Sequence, residues 1–574
     1  MSYPRSPFLL LAGLALGLPS ISVAGEPAAD QPVALPPFIV EDAIKGRPWR
    51  YAEGGGFEIL SRSADGTTQR VLEAHYRLHQ LLAEILPEPL QFKLAVPKAV
   101  ILFDEELQPA ASREVIARLL RTAPEIPPVE AIVPIGRRGI AMVNASPRYS
   151  FLPNLRLWDV DAMTIFMIVR GDNFDPEHLA LTTDYVSYLA KSRLPALPIW
   201  FLSGFLSVYG RVKFDGNELA VEPMEWLSAA ATSALKKDPK TAVPLFPLAD
   251  FFAGVVPPLS AAAGVEPVAL WRAQADLLMR WALDGRDAPR RAGFWKFVER
   301  CAIEGASEEL FTACLGLDWP TALAELTAYR PVAVKGTMHF RPAHLARLPK
   351  LALRDASEAE IGRIKGDWER MEIAFVTRTS PELSAKYLEQ ARRTLRHAYE
   401  REVRDPRLLA VLGLCESDAG NAAQARAYLE AAAQGGSMRP RAWYELARLR
   451  LAELGGSPTG ADFQLAPEQL ASVLTPLFAA RRQEPPLPEV YELIAEAWAH
   501  SASAPSRGHL QVLDEGVRLF PRRPALALRA AGLNARYGFQ DAAAAFVHHG
   551  LRIASTDEER ESFVRLQAQI EAAK

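Results

Sequence analysis

The 574-residue sequence predicts an α+β region, a small mixed sheet with a helical subdomain, followed by an all-α solenoid of paired helices. Three observations carry this. Apolar runs of strand length alternate with helix-period segments as far as about residue 170, helix follows helix from Asp175, and proline-led helices recur 34 residues apart from Pro406. Hydrophobic residues make up 49% of the chain and charged residues 23%, which excludes a disordered tail protein and a multi-span membrane protein. The formal charge of −3 supplies no field for nucleic acid, so none is expected as a partner.

In chain order, residues 1–24 read as an export signal. Arg5 precedes the apolar run Phe8 to Leu18, Pro19 closes it, and Ser22-Val23-Ala24 supplies a small-residue cleavage site. The run is shorter than the ~20 residues a spanning helix needs, so no transmembrane anchor is expected after its removal. Residues 25–45 read as a linker. In the α/β subdomain, 46–170, Phe57 to Ser61, Ala99 to Phe103, Gly139 to Val143 and Thr164 to Val169 read as strands. Helix signals lie between them at Val71 to Ile85 and Arg113 to Arg121. The helical subdomain, 171–335, holds helix patterns at 176–191, 198–209, 267–284, 291–304 and 307–315. A hairpin interrupts them at Val212 to Phe214 and Leu219 to Val221. Residues 336–380 read as a connector, extended and then helical from Ser357.

Residues 381–574 carry the periodic signal. Pro406 and Pro440 each open a similar helix, Gly420-Asn421 makes an interhelix turn, and Ala425, Leu429 and Ala432 alternate small and large on a packing face. Pro488 and Pro524 open two further units, with an insertion near Gly455 to Phe463 and a charged helix from Thr556 to cap the end. A 34-residue helix-pair period is that of tetratricopeptide repeats.

The run Thr183-Asp184-Tyr185-Val186-Ser187-Tyr188-Leu189, followed by Leu197-Pro198-Ile199-Trp200-Phe201-Leu202-Ser203-Gly204-Phe205, resembles the core of peptidase MA-like, gluzincin-type metallopeptidases. In that family a first helix carries H-E-x-x-H and a second reads P-x-W-L-x-E-G-x-A-x-Y. Two His and the Glu before Gly bind zinc, and the Glu between the His is the general base. The resemblance places the His positions at Thr183 and Ser187, the base at Asp184 and the third ligand at Ser203. All four have changed, and neutral hydroxyls are poor zinc ligands, so the resemblance implies an inactive, gluzincin-like domain without metal or cofactor. The segment 271–278 and the helix around Phe294 to Val298 resemble the helices that close the cleft in these proteins.

Other candidate chemistry is weaker. His75 and His79 have metal-ligand spacing, but Tyr76 stands where a zincin needs Glu and His75 shares an apolar face. His397 has Glu400 three residues on, within a charged surface stretch, and His548-His549 point to different helix faces. Glu53-Gly54-Gly55-Gly56 lacks a following Gly-Lys-Ser/Thr, and Ser203-Gly204 lacks the G-x-S-x-G frame. Cys301, Cys314 and Cys415 are too few for a disulfide framework; a Cys301–Cys314 bond and buried thiols both fit.

The leading expectation is therefore an exported, non-catalytic scaffold, periplasmic or extracellular if the source is bacterial, that binds a protein or peptide in a helical-repeat groove. Arg441, Glu445, Arg448, Glu492 and Glu496 are the candidate groove residues, being off the packing face by helical spacing. The alternatives are an exported hydrolase with an altered site around Asp184, a metallopeptidase whose ligands come from elsewhere, such as His178 with Asp184, and a structural cell-envelope protein. If residues 1–24 are a signal, N-terminal sequencing of the native protein is expected to begin at or near Gly25; recovery of Met1 or Ser2 would overturn export.

Overall fold

The computed structural model describes residues 47–572 apart from 55–56, 88–89, 91–97, 105–132, 136–138, 142–154, 170–185, 188, 191–192, 216–217, 240–242, 255–265, 285–286, 341–350, 380, 402–404, 437, 456–462 and 555. The signal segment, the linker and the helix signal at 113–121 lie outside the described residues.

The N-terminal part runs β1 (Arg50–Gly54), β2 (Phe57–Arg62), α1 (Asp65–Ile85), β3 (Lys98–Asp104), β4 (Val133–Ile135), β5 (Gly139–Ala141), β6 (Leu155–Trp158) and β7 (Met163–Val169). The middle part runs α2 (Ile199–Tyr209), β8 (Val212–Asp215), β9 (Glu218–Val221), α3 (Ala229–Lys237), α4 (Leu248–Ala253), α5 (Pro267–Leu283), α6 (Ala288–Glu304), α7 (Glu308–Leu315), α8 (Trp319–Ala333), β10 (Met338–Phe340) and β11 (Arg354–Asp355). Helices follow to the end: α9 (Glu358–Thr379), α10 (Ser384–Arg401), α11 (Pro406–Asp418), α12 (Ala422–Gln434), α13 (Pro440–Glu453), α14 (Pro467–Arg481), α15 (Pro488–Ala499), α16 (Arg507–Leu519), α17 (Pro524–Arg536), α18 (Gln540–Ile553) and α19 (Asp557–Ala572).

The main sheet has strand order β11-β1-β2-β3-β7-β6, with β2, β3 and β7 parallel and the outer pairs antiparallel. Its central strands are apolar at nearly every position because both faces are covered. Ile59, Val100, Leu102, Ile165 and Met167 point to one face and pack with Val71 and Leu72 of α1 and with the middle helices. Leu60, Ile101, Phe103 and Phe166, one residue out of phase, point to the other and pack against Ile364 and Trp368 of α9.

In the middle part, Trp200 of α2 stacks on Phe297 and meets Phe252 and Phe294 edge-on. Helix α2 lies tightly across α5: a Cβ at Gly204 would sit 2.3 Å from the Ala275 carbonyl oxygen. Beside that crossing, the buried Asp276 carboxylate accepts Ser207 Oγ at 2.7 Å and Arg280 Nε at 2.7 Å, and Arg280 Nη1 donates to the Glu222 carbonyl at 2.8 Å.

From α9 onward the helices stack as antiparallel pairs, α9/α10, α11/α12, α13/α14, α15/α16 and α17/α18, with α19 packed over the last pair. The first helices of successive pairs, here the A helices, also touch one another. Five A or B helices, α11, α13, α14, α15 and α17, begin with Pro in the first turn, where its missing N–H costs nothing. Gly420 and Gly538 turn between A and B helices at φ +80° and +81°, a left-handed conformation that favours glycine. Ala425, Leu429 and Ala432 are fully buried, and Gly413 of α11 leaves room for Leu429. The end of the insertion is tied down: Leu465 N–H donates to the His500 carbonyl and Ala502 N–H to the Leu465 carbonyl. Helix α9 falls in the segment 336–380 read from sequence as a connector. It is the A helix of the first pair, so helix pairing begins at Glu358, ahead of residue 381.

Two glycines separate close approach from open space. Gly204→Ala is expected to destabilise the chain by about 1–3 kcal/mol, because the extra methyl meets backbone that must move. Gly532→Ala, at a helical position with nothing within 4 Å, is expected to stabilise it by about 0.5–1 kcal/mol. Urea unfolding midpoints of the two variants check the contrast.

Candidate functional site

Sequence patterning leaves the turn between β6 and β7 unremarked, yet it places two carboxylates against the A helices. The turn is closed by Asp159 N–H donating to the Ala162 carbonyl at 2.8 Å. Asp159 Oδ2 accepts from Arg370 Nη2 of α9 at 2.5 Å, from Arg439 Nη2 at 3.3 Å and from Arg441 Nη1 of α13. Asp161 Oδ2 accepts the backbone N–H of Arg441 at 2.7 Å, and its Oδ1 lies 3.5 Å from Arg439 Nε. Asp367 of α9 accepts from Arg370 Nε at 2.9 Å and from Arg439 Nη1 at 3.1 Å. Asp418 at the end of α11 receives Arg370 Nη1 and Arg441 Nη2, both at 2.9 Å. Four carboxylates and three guanidiniums thus join one turn of the sheet domain to three A helices.

Burial makes each charge depend on the others. Burial alone would raise the Asp159 carboxyl, but Arg370, then Arg441 and Arg439, outweigh it and hold the group well below the usual carboxylate range. Asp161 goes the other way: its burial, reinforced by the neighbouring Asp159 charge, exceeds the attraction of Arg439 and raises it. Arg370 is lowered by burial and raised further by Asp367, Asp159 and Asp418, so it stays charged.

A second anchor lies at Glu58 of β2. It accepts both Nη groups of Arg363 on α9, Arg407 Nη1 of α11 at 3.2 Å and the Tyr51 hydroxyl at 2.7 Å. The sheet domain therefore sits on the A-helix face of the first three helix pairs, held by Glu58 and Asp159 with the aromatic cluster of Phe103, Phe166 and Trp368 between. Farther along, Leu194 packs against the core of the later pairs, and Arg522 Nη2 donates to the Cys301 carbonyl at 2.9 Å.

The groove residues expected from spacing separate on this background. Arg441 belongs to the anchor. Glu445 is buried at 8%, where it accepts the Ser417 hydroxyl and Arg448 Nε at 2.9 Å. The expectation of free, outward-facing side chains is corrected at these two: the sheet turn covers one, and the preceding A helix engages the other. Arg448 remains half exposed. Glu492 lies 3.5 Å from Arg523 Nη1, and Glu496 accepts Arg529 Nη1 at 3.2 Å, so both link α15 to residues in and just before α17.

Of the four peptidase-like positions, Thr183 and Asp184 lie outside the described residues, as does His178. Ser187 is half-buried in a helical segment, and Ser203 is half-buried on α2 next to the Gly204 crossing. Among the described residues, no group of three or more His, Cys, Asp and Glu is placed to hold a metal ion. His75 is buried, its Nδ1 2.9 Å from the Val71 carbonyl oxygen and its ring edge-on to Phe57. Cys301, Cys314 and Cys415 are free thiols, and burial pushes Cys301 and Cys415 up to about 12, which keeps them unreactive. No helix of the described residues is long and apolar enough to cross a membrane.

No protein-family model matches the sequence. No curated protein matches it either. Among solved structures, similarity is found to YrrB, a tetratricopeptide repeat protein described as having an unusual peptide-binding site: 15% identity over 33% of this chain and 89% of that one, TM-score 0.26. MamA from Desulfovibrio magneticus matches at 17% over 34% of this chain and 94% of that one, TM-score 0.24. A thermophilic tetratricopeptide repeat protein from Thermus thermophilus matches at 18% over 35% and 99%, TM-score 0.23.

Removing one partner of a buried ion network leaves uncompensated charge. Asp159→Ala, which takes from Arg370, Arg439 and Arg441 the one carboxylate they all share and leaves the buried cluster with excess positive charge, is expected to cost about 3–5 kcal/mol. Arg448→Ala, at a half-exposed pair, is expected to cost at most about 1 kcal/mol. Denaturant unfolding of both variants checks the order; equal losses would remove the anchor from its central place.

Proposed function

We propose that the protein is an exported, non-catalytic scaffold that joins an inactive metallopeptidase-like domain to tetratricopeptide-like repeats and binds a protein or peptide along the A helices. The observation that carries this reading is the row of A helices continuing past the footprint of the sheet. The first three helices are occupied by Glu58, Asp159 and the aromatic cluster. Arg448 farther along α13, and Arg529 and Arg536 of α17 beyond the footprint, are exposed, and the last two reach across from α17 to α15. Stacked helix pairs of this kind present an extended binding surface, and Arg is favoured there because its planar fork holds a carboxylate through two hydrogen bonds. The binding surface proposed from Arg441, Glu445, Arg448, Glu492 and Glu496 thereby shifts toward the C-terminal end, with Arg448 and Glu496 retained. Serines at the ligand positions 187 and 203 support the non-catalytic half of the reading, since neither supplies the imidazole or carboxylate that zinc needs.

Photo-crosslinking in the full chain tests both halves together with a metal analysis. A photoreactive residue at position 529 is expected to join a discrete partner from the exported fraction, whereas one at Arg393, exposed on the B helix α10, is not. Equal labelling at the two positions, or labelling at 393 alone, counts against the A-helix surface. One tightly held zinc per chain, lost together with a chelator-sensitive peptidase activity, would sink the non-catalytic assignment.

A further inference from the structure

Helix α9 carries two carboxylates on the side away from the anchor, Glu369 and Glu372, one turn apart. Glu369 is 3% exposed. Each has one carboxylate oxygen, Oε2, with no hydrogen-bond partner among the described residues. What surrounds them offers little compensation for two negative charges. From α10, Gln390 Nε2 reaches Glu369 at 3.5 Å, Thr394 adds a hydroxyl, and the buried Tyr387 faces Glu372. From α9 itself, the Trp368 indole donates to Glu372, and Lys365, one turn before Glu369, is the cation whose field reaches that carboxyl. From the sheet, Arg62 of β2 lies on this same face, buried with its guanidinium over the Trp49 ring at 4.7 Å, and Trp49, Ile101, Phe103 and Phe166, with Lys365, Trp368 and Glu369, line a cavity of about 20 Å³ between sheet and helix. The guanidiniums of Arg370, Arg439 and Arg441 are already engaged with Asp159, Asp367 and Asp418 on the opposite side.

We propose that the junction between the sheet domain and the solenoid is a pH-sensitive hinge, closed while the Glu369–Glu372 pair is neutral and loosened when both carboxyls ionise. A buried neutral carboxyl with one oxygen unpartnered forgoes a single hydrogen bond, whereas a buried unpaired carboxylate costs far more. Two ionised carboxylates repel at that distance and need water. The cavity is near them but has room for only about one water molecule. Glu372 is partly exposed already, so it is the hydration of Glu369, fully buried beside the cavity, that requires α9 to part from the sheet or from α10. Burial pushes Glu369 up to about 7, and burial together with the Glu369 charge pushes Glu372 up to about 8. A carboxyl raised on folding binds its proton more tightly in the folded chain than in the unfolded one. Its contribution to stability is thus fully present below about 4.5 and is lost as pH rises through 7 and 8.

The test uses the full chain in urea at pH 6 and pH 8.5. The wild type is expected to lose unfolding midpoint across that interval, and E369Q/E372Q, whose amides keep the shape of the neutral acids, to hold its midpoint constant. If the double variant does not fold, the single variants E369Q and E372Q supply the comparison, each removing part of the slope. Hydrogen exchange, corrected for intrinsic rates, adds a local readout: protection in α9 is expected to fall about tenfold more than in α18, the equivalent of roughly one pKa unit. A flat wild-type profile, a folded Gln variant with the wild-type slope, or an even loss of protection along the chain would each overturn the hinge.

Discussion

The sheet's second apolar face has to be covered, and the rest of the architecture follows from what covers it. Ile101, Phe103 and Phe166 cannot face water without losing, by area, about 1.5–3 kcal/mol each. In a doubly covered sheet, helices of the same domain normally do this. Here the cover is α9, whose other contacts are with α10 and α11. The helix that completes the core of the first domain is also the first helix of the repeats, so the two units share one element and neither is whole without it.

The ion network sets the register of that shared contact more than its strength. Taking three guanidiniums and their carboxylates out of water is costly, and well-packed apolar residues would hold the interface at least as firmly. What apolar packing does not do is distinguish one position along a helix from the next. Asp159 meets Arg370, Arg439 and Arg441 from two different A helices, and Asp161 takes the Arg441 backbone N–H, so a slide by one helical turn would break all of these contacts at once. The Asp161 carboxyl, raised by burial and by the neighbouring Asp159 charge, is the member of the cluster least favoured as an anion.

Much of the fold is legible locally. The phase difference between Ile59 and Leu60, or between Phe166 and Met167, is written in unbroken apolar runs, and the 34-residue recurrence of Pro-led helices with glycine turns exposes the solenoid. The shared helix is harder to see. Its stripe of Ile364 and Trp368 is interrupted by Asp367, Glu369 and Arg370, a mixture that reads as a charged connector until its partners, distant in sequence, are known. The groove residues are hidden in the same way. Spacing identifies Arg441 and Glu445 as lying off the helix-pair interface, but the sheet turn that covers Arg441 and the neighbouring A helix that engages Glu445 leave no trace in the periodicity of α13.

The placement of the arginines points to how the sheet reads the repeat. Arg407 and Arg441 each follow the proline that opens an A helix, and they stand one 34-residue period apart. Each holds an acid of the sheet domain, Glu58 on β2 and Asp159 just past β6. In the sheet, β2 and β6 are separated by three strand spacings, about 14 Å, while neighbouring packed helices lie about 8–10 Å apart. Long arginine side chains bridge the difference between these two lengths, which a shorter basic residue could not do. The later A helices open with Pro488-Glu489 and Pro524-Ala525, where the same position carries no arginine. From α11 onward, the Pro-Arg start thus falls on the two A helices whose arginines hold acids of the sheet domain.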